Sequence, residues 1–413
     1  MKDLLLFVPV DDFALAQYEF IPTGVLSIAS YLTPSVQTDI LHKRVEDIPN
    51  NYAVYGVSAT TNQYPIAREA LHRIRKIAPQ ARVVLGGPHL NTESCVQECL
   101  KDDWDYLVVG EGERVLLEII DRNVSTRVVQ GKPIEDLDEL HPLFFSKLNM
   151  QAYNFPLRRD LKCINVMTSR GCPYRCAFCS TAGTKLRQRS PENVILELQI
   201  LKNQYGFDSF MFVDDTMSIN RPRFREILKG VKELNIKWRS YGRVNVLNRE
   251  DLELMAESGC LEVAIGVESG SQKILDLIRK GTNVQENIKF AHMCREIGIK
   301  CNAMLIVGLP GETRETIRKT QEWMEQARPE AFGYNIFFPF PDAPVRTDPA
   351  FEDLITIYDY DWDEAVTKAK SIDKCFVSTP TLTREDILNE YKRNFELFVS
   401  ITGFDPRKRG TRK

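Results

Sequence analysis

The run Arg170-Gly-Cys-Pro-Tyr-Arg-Cys-Ala-Phe-Cys179 places Cys172, Cys176 and Cys179 within eight residues. Three thiolates on a loop at this spacing can each ligate one iron of a four-iron cluster, leaving the fourth iron without a protein ligand. The cluster of an ordinary electron carrier takes four cysteines, and the common ferredoxin run supplies the fourth soon after the third. Here the next cysteine is Cys260, far along the chain at the start of an expected strand. Residues at i, i+4 and i+7 can also line one face of a helix as buried thiols. Gly171 and Pro173 flank Cys172 and work against a helix there, so the run reads as a loop with an open iron.

Around this loop the sequence alternates apolar runs with amphipathic stretches. Residues 163–168, 210–213, 239–244, 263–267, 303–307 and 333–338 read as six strands. Ser190-Pro-Glu192 opens a helix between the first two, with a capping serine, a proline in the first turn and an early acid. Six such repeats suit a partial parallel barrel, whose chemistry lies on the loops at the carboxyl ends of the strands. The cysteine loop directly follows the first strand. After about Arg346 the pattern becomes irregular and then helical, ending in a basic tail from Arg407 to Lys413 that reads as a solvated terminus.

The first 130 residues alternate in the same way, with strands at 4–8, 54–58, 82–85 and 106–109, and helical spacing at Ile66, Ala70, Leu71, Ile74 and Ile77. This predicts a Rossmann-like, doubly wound parallel sheet with ligands beyond its carboxyl edge. Ser58, Thr60, Gly86, Gly87 and Glu111 fall at that edge, where paired glycines either admit a ligand or simply turn the chain. A stretch with little periodicity, residues 131–160, separates the two halves. The expected division is therefore 1–130, a linker at 131–160, a barrel at 161–345 and a helical C-terminal extension at 346–413, an α/β protein throughout.

With 413 residues and a net charge of -3, the chain offers no global field for nucleic acid or membrane. Its start has too short an apolar run for a signal peptide, and no stretch approaches spanning length, so a soluble, cytoplasmic protein is expected. Ten cysteines without a secretory signal fit a reducing compartment, and Cys95 and Cys99 read as buried side chains on a helix.

Later strand ends carry residues of a matching kind. Asp214 and Asp215 can accept hydrogen bonds from an ammonium group or cap a turn. Arg243 offers a planar fork for a carboxylate or a structural ion pair. Glu268 and Ser269 lie in Gly266-Val-Glu-Ser-Gly-Ser271, and Gly308 opens Gly308-Leu-Pro-Gly-Glu-Thr313. Phe338-Pro-Phe-Pro-Asp-Ala-Pro344 follows the sixth strand and can wall a pocket or merely end it.

Cysteines spaced CxxxCxxC, with Phe178 before the last, then VDD, GVESGS and GLPGET at successive strand ends, resemble the radical S-adenosylmethionine (radical SAM) family over residues 160–345. The resemblance implies a [4Fe–4S] cluster on Cys172, Cys176 and Cys179, with the methionyl amino and carboxylate groups of S-adenosylmethionine on the open iron. It further implies cofactor contacts from Phe178, Asp214, Asp215, Arg243, Glu268, Ser269 and Gly308, and an electron donor such as flavodoxin or ferredoxin.

Ile21-Pro-Thr-Gly-Val25, Gly86-Gly-Pro-His89 and Gly110-Glu-Gly-Glu113 resemble the cobalamin-binding domain that precedes many radical SAM barrels. That implies cobalamin near Ser58, Thr60, Gly86, Gly87 and Glu111, and methyl transfer to an unactivated centre of a small-molecule or peptide substrate. The DxHxxG run that supplies an axial histidine elsewhere is absent, and His42 and His89 do not match its spacing. A cobalamin-independent radical SAM enzyme with a vestigial Rossmann domain is the alternative, and a non-catalytic iron-sulfur carrier a third reading. A methylthiotransferase would carry three further cysteines in the N-terminal domain, where only Cys95 and Cys99 occur.

Overall fold

The structure, a computed structural model, describes residues 2–10, 20–140, 145–154, 157, 160–358 and 374–408. The described residues fall into two compact units, the first made of those up to Asn154 and the second of those from residue 157 onward. The end of the basic tail lies outside the described residues.

In the first unit, strands β1 (Lys2–Pro9), β2 (Thr38–Lys43), β3 (Tyr52–Ser58), β4 (Arg82–Gly86), β5 (Tyr106–Gly110) and β6 (Val128–Gly131) form one sheet in the order β2-β1-β3-β4-β5-β6. Every pairing is parallel. Alternate residues of β1 face opposite sides, as a strand requires. Leu5 and Phe7 join the core under α2 (Tyr64–Ile77) and α3 (Glu93–Cys99), while Leu4, Leu6 and Val8 join the core under α1 (Thr23–Leu32) and α4 (Glu113–Ile120). Helices on both faces make this the expected doubly wound sheet, with strand order reversing beside β1. Cys95 and Cys99 are both buried on α3. The stretch after Gly131 packs onto this unit, with Ile134, Leu137 and Leu140 buried against Tyr31.

The second unit contains strands β7 (Cys163–Val166), β8 (Ser169–Arg170), β9 (Arg187–Gln188), β10 (Ser209–Phe212), β11 (Lys237–Gly242), β12 (Cys260–Glu268), β13 (Lys300–Val307) and β14 (Ala331–Ile336). Six of them form a parallel sheet ordered β14-β13-β12-β11-β10-β7, and β8 pairs with β9 as a small antiparallel hairpin. The helix after the hairpin, α5 (Pro191–Tyr205), starts where the Ser190 hydroxyl accepts from Asn193 N–H and stops at Gly206, whose φ is +70°. Helices α6 (Arg221–Glu233), α7 (Arg249–Glu257), α8 (Gln272–Leu277), α9 (Val284–Ile297) and α10 (Arg314–Ala327) complete the repeats.

One face of this sheet is apolar: Phe210, Phe212, Trp238, Val263, Ile265, Ala303 and Leu305 are all buried. The alternate residues are polar toward the start of β11 to β13. Arg239 pairs with Glu262 at 3.2 Å, and Asn302 donates to the same carboxylate at 3.0 Å. This polar layer is the barrel-side face of a half-open sheet, since helices cover only the apolar side. The last helix, α11 (Arg384–Thr402), packs on β14 through the edge-on contacts of Phe332 with Phe395 and Phe398.

Candidate active site at the carboxyl end of the barrel

The cysteine loop is the tip of the β8–β9 hairpin, so the β7 strand delivers it to the carboxyl end of the sheet. Its shape is fixed from inside. Gly171 has φ +87°, and a Cβ there would come within 2.3 Å of the Lys185 carbonyl oxygen. Cys172 N–H donates to Thr184 Oγ1 at 2.9 Å, and Gly183 N–H donates to the Tyr174 carbonyl at 2.7 Å. It is also held from outside through Ala177. Its N–H donates to the Ile278 carbonyl and its carbonyl accepts from Val345 N–H, both at 2.9 Å. Loops after β12 and β14 thus clamp the middle of the cysteine run.

Cys172 and Cys176 are buried and Cys179 is partly open. Burial pushes the Cys172 thiol up, a backbone hydrogen bond at Tyr174 opposes the rise, and the nearby charges of Asp215, Cys179 and Cys176 add to it. Among the described residues no three His, Cys, Asp or Glu side chains converge as ligands of one ion would. A four-iron cluster makes a different demand, one thiolate per iron corner, and three thiols on one clamped loop, the third partly open, suit that donor pattern. The loop therefore fits the cluster expected from its spacing.

The predicted neighbours separate into two groups. Phe178, Asp215, Arg243 and Glu268 stand around the cysteines. Asp215 accepts from the Thr181 hydroxyl, which also lies 3.3 Å from Cys179 Sγ; loss of solvent raises the Asp215 pKa and that hydrogen bond lowers it. Arg243 is buried, stacks 3.8 Å over the Tyr174 ring and donates to Cys176 Sγ across 3.5 Å. It also donates to the Lys280 carbonyl and, at 2.9 Å, to Asn245 Oδ1. Glu268, at φ +60°, forms a buried ion pair with Lys280 at 2.7 Å, and the same ammonium lies 5.6 Å from the Phe178 ring centroid.

Asp214, Ser269 and Gly308 are engaged in contacts within the second unit. The Asp214 carboxylate accepts from Thr168 N–H, Thr168 Oγ1 and Ser169 Oγ, so it anchors the entry to the hairpin. Burial raises its pKa and these donors oppose the rise. Ser269 Oγ lies 3.4 Å from Thr320 Oγ1 on α10, and a Cβ on Gly270 would strike the Lys319 carbonyl at 2.4 Å. The Ser-Gly pair therefore docks the strand end on a helix. Gly308, at φ +89°, is buried; a Cβ on it would lie 3.3 Å from Val377 and from Ile387.

Sequence reasoning missed Lys280, Thr181 and Thr184. Lys280 sits in a turn after α8 with no apolar periodicity, and its only sequence signal is the adjacent Gly281. The two threonines fall inside the cysteine hairpin, where an alternating β-strand pattern is too short to read.

At the carboxyl edge of the first unit, Thr60 forms a capping box with Gln63. Gly87, at φ +100°, passes so close to Ala59 that a Cβ would lie 2.6 Å from its carbonyl oxygen. Ser58 Oγ would lie 3.1 Å from that Cβ. Gly86 O accepts from Ala59 N–H at 3.0 Å, and Glu111 accepts from Ile134 N–H at 2.7 Å. These bonds shape the edge loops from within. His89 is buried and stacked on Tyr64 with centroids 4.2 Å apart, and its pKa falls to about 4, from burial first and then from the Arg68 charge.

Residues 166–324 match the radical SAM superfamily model, and residues 12–120 match the B12 binding domain. An uncharacterized methyltransferase of Pyrococcus horikoshii is 32% identical over 355 residues, covering 78% of this chain and 76% of the relative. The chain belongs to the radical SAM superfamily. As a radical SAM enzyme it uses a [4Fe–4S] cluster and S-adenosylmethionine, and its first unit is a cobalamin-binding domain. The anaerobic magnesium-protoporphyrin IX monomethyl ester cyclase of Rubrivivax gelatinosus is 26% identical, covering 93% of this chain and 74% of that one. The fold is shared with TsrM from Kitasatospora setae, a radical S-adenosylmethionine methyltransferase solved with cobalamin and a [4Fe–4S] cluster. That match has a TM-score of 0.66 at 19% identity, covering 83% of this chain and 77% of TsrM. No described helix is long and apolar enough to cross a membrane.

Proposed function

We propose that this protein is a cobalamin-dependent radical SAM methyltransferase that methylates an unactivated centre of a small molecule or peptide. The observation that carries this reading is a three-cysteine loop at the carboxyl end of a barrel, preceded in the same chain by a B12 binding domain. When bound, the cluster and S-adenosylmethionine supply a 5'-deoxyadenosyl radical and cobalamin supplies the transferable methyl group.

Cys172, Cys176 and Cys179 hold three irons in this proposal, and the clamp on Ala177 keeps their spacing while the open side receives the cofactor. Asp215 takes the methionyl ammonium, Glu268 a ribose hydroxyl, and Phe178 walls the site between them. Arg243 keeps a positive charge beside the cluster sulfur. Ser58, Thr60, Gly86, Gly87 and Glu111 shape the edge that receives cobalamin. Residues 1–130 and 161–345 are proposed as the cobalamin and radical halves, joined by 131–160 and followed by 346–413. An external donor such as flavodoxin or ferredoxin provides the electron.

The test is anaerobic reconstitution with iron, sulfide and cobalamin, followed by turnover with a reductant and candidate substrates that include a porphyrin ester. Bound cobalamin with 5'-deoxyadenosine and S-adenosylhomocysteine formed together supports methylation. The cyclase among the relatives makes the competing outcome concrete: 5'-deoxyadenosine without S-adenosylhomocysteine would move the enzyme to radical cyclisation or oxidation. No 5'-deoxyadenosine from a fully loaded cluster would end the radical reading altogether.

A further inference from the structure

We infer that Lys280 is a positioning residue for the cofactor: it holds one oxygen of Glu268 so that the other faces the S-adenosylmethionine site, and it cancels the Glu268 charge beside the cysteine loop. The inference rests on the radical SAM reading above and extends it to a residue outside the motifs.

The pair is built into the backbone. Glu268 occupies the left-handed region at φ +60°, a conformation that strains a non-glycine residue and persists only where surrounding structure enforces it. It sits at the register shift between β12 and β13. Gly266, two residues earlier, leaves the space the pair fills, since a Cβ there would lie 2.1 Å from Glu268 Oε1 and 2.5 Å from Lys280 Nζ. The glycine of this motif is therefore required by the ion pair as well as by the strand.

The lysine is fixed equally firmly. It follows α8 in a turn in which Arg279 has φ +55° and Gly281 φ +65°. Lys280 N–H donates to the Leu275 carbonyl at 2.9 Å. Three carbonyls of this turn receive donors from the cysteine side of the barrel: Ile278 from Ala177 N–H, Lys280 from Arg243, and Gly281 from Asn245 Nδ2. The turn that clamps the cysteine run thus also aims the Lys280 side chain between Glu268 and Phe178.

Electrostatics gives the arrangement its purpose. Glu268 and Lys280 are both buried, and the bond between them is made by Glu268 Oε1. A lone buried carboxylate beside a cluster held by thiolates would be doubly unfavourable, from lost hydration and from like charge. The paired ammonium removes that cost and leaves an acceptor for a hydroxyl donor, with no net charge added to the site.

Binding of S-adenosylmethionine to anaerobic, cluster-loaded protein tests this directly. Lys280→Met should keep the iron and sulfide content of the wild type, bind S-adenosylmethionine at least about tenfold more weakly, and lose the cofactor-induced change in the EPR spectrum of the reduced cluster. Gly266→Ala should reproduce this by displacing the pair, and Lys280→Arg should recover part of the affinity. Should Lys280→Met fail to fold, Glu268→Gln/Lys280→Met removes the buried charge together with its partner and should show the same weakened binding with a full cluster. Wild-type affinity and EPR change in Lys280→Met, or in the double variant, would overturn the inference, as would loss of the cluster itself from the double variant. If wild-type protein with a full cluster does not bind S-adenosylmethionine, the failure lies with the radical SAM reading and not with Lys280.

Discussion

Arg243 donates a hydrogen bond to the sulfur of Cys176 across 3.5 Å. The strand that carries Arg243 is separated from the cysteine loop by a whole β/α repeat, so the contact is made by the barrel and not by local sequence. A positive charge and a donor at a ligand sulfur stabilise the more negative, reduced cluster. Arg243→Met should therefore lower the midpoint potential of the reconstituted cluster by about 60 mV, a tenfold step for one electron. Arg243→Lys should not restore it fully, because the planar guanidinium both stacks on Tyr174 and reaches Cys176. An EPR-monitored redox titration checks this, and an unchanged potential in the methionine variant would refute it.

Gly171→Ala should leave the barrel folded and strip most of the iron. The new Cβ meets the Lys185 carbonyl at 2.3 Å in a left-handed conformation, so the hairpin tip must open. Far-ultraviolet circular dichroism close to wild type, with iron and sulfide content sharply reduced after reconstitution, is the expected pair of results. Retention of a full cluster would mean that the loop tolerates the shift.

The two adjacent aspartates should respond differently. Asp214→Ala removes the acceptor of Thr168 N–H, Thr168 Oγ1 and Ser169 Oγ in a buried position, leaving donors unsatisfied, and should cost about 3 kcal/mol in a denaturant titration. Asp215→Asn should leave stability unchanged and weaken S-adenosylmethionine binding by about tenfold. Equal stability losses in both variants would contradict this division of labour.

Much of this division was invisible in the sequence, for a physical reason. Buried strands of a parallel sheet carry apolar runs, and the six barrel strands stand out for that reason although one face of β11 to β13 is polar. In the first sheet the unpredicted strands, β2 and β6, lie at the edges, where Leu41 is only partly buried and Val128 is 38% exposed. At the site, spacing located the cysteines because all three lie on one loop. A strand-end position locates a residue's backbone and leaves its side-chain direction open, so the sequence does not show that Asp214 anchors the hairpin entry through Thr168 and Ser169 while Glu268 pairs with Lys280. Lys280 depends on a left-handed turn, a strand bulge and Gly266 acting together.

Glu312 gives the fold a pH dependence that its sequence neighbours would not predict. Burial first, opposed by N–H donors of Gly308 and Leu309, raises its pKa from 4.5 to about 8, with Glu390 adding to the rise. The folded state then keeps a proton that the unfolded chain releases, so stability is lost as pH climbs from about 4.5 to about 8. Glu312→Gln keeps an acceptor for both N–H groups and removes the titration. It should raise stability over wild type by about 2–4 kcal/mol at pH 9 and by much less at pH 5. Thermal melts at the two pH values decide it, and an equal difference at both would show that Glu312 does not titrate in this range.

His89 follows the paired glycines at the edge where cobalamin is expected, and its ring is buried there. The ring is enclosed, stacked on Tyr64, and its Nδ1 lies 3.5 Å from Thr61 Oγ1. Tyr64 and Leu90 beside it belong to the core of the first unit, so the ring is packed in place. His42 is engaged in turn by Tyr153, with Nδ1 2.7 Å from the phenol oxygen. Cobalamin bound to the wild-type protein should therefore give a cob(II)alamin EPR spectrum that neither His89→Ala nor His42→Ala alters. The His89 variant should instead lose stability, by about 1–3 kcal/mol, through the lost stacking and the cavity under Tyr64. Loss of nitrogen superhyperfine splitting in either variant would show that the histidine does reach cobalt, and that the edge loops rearrange when the cofactor binds.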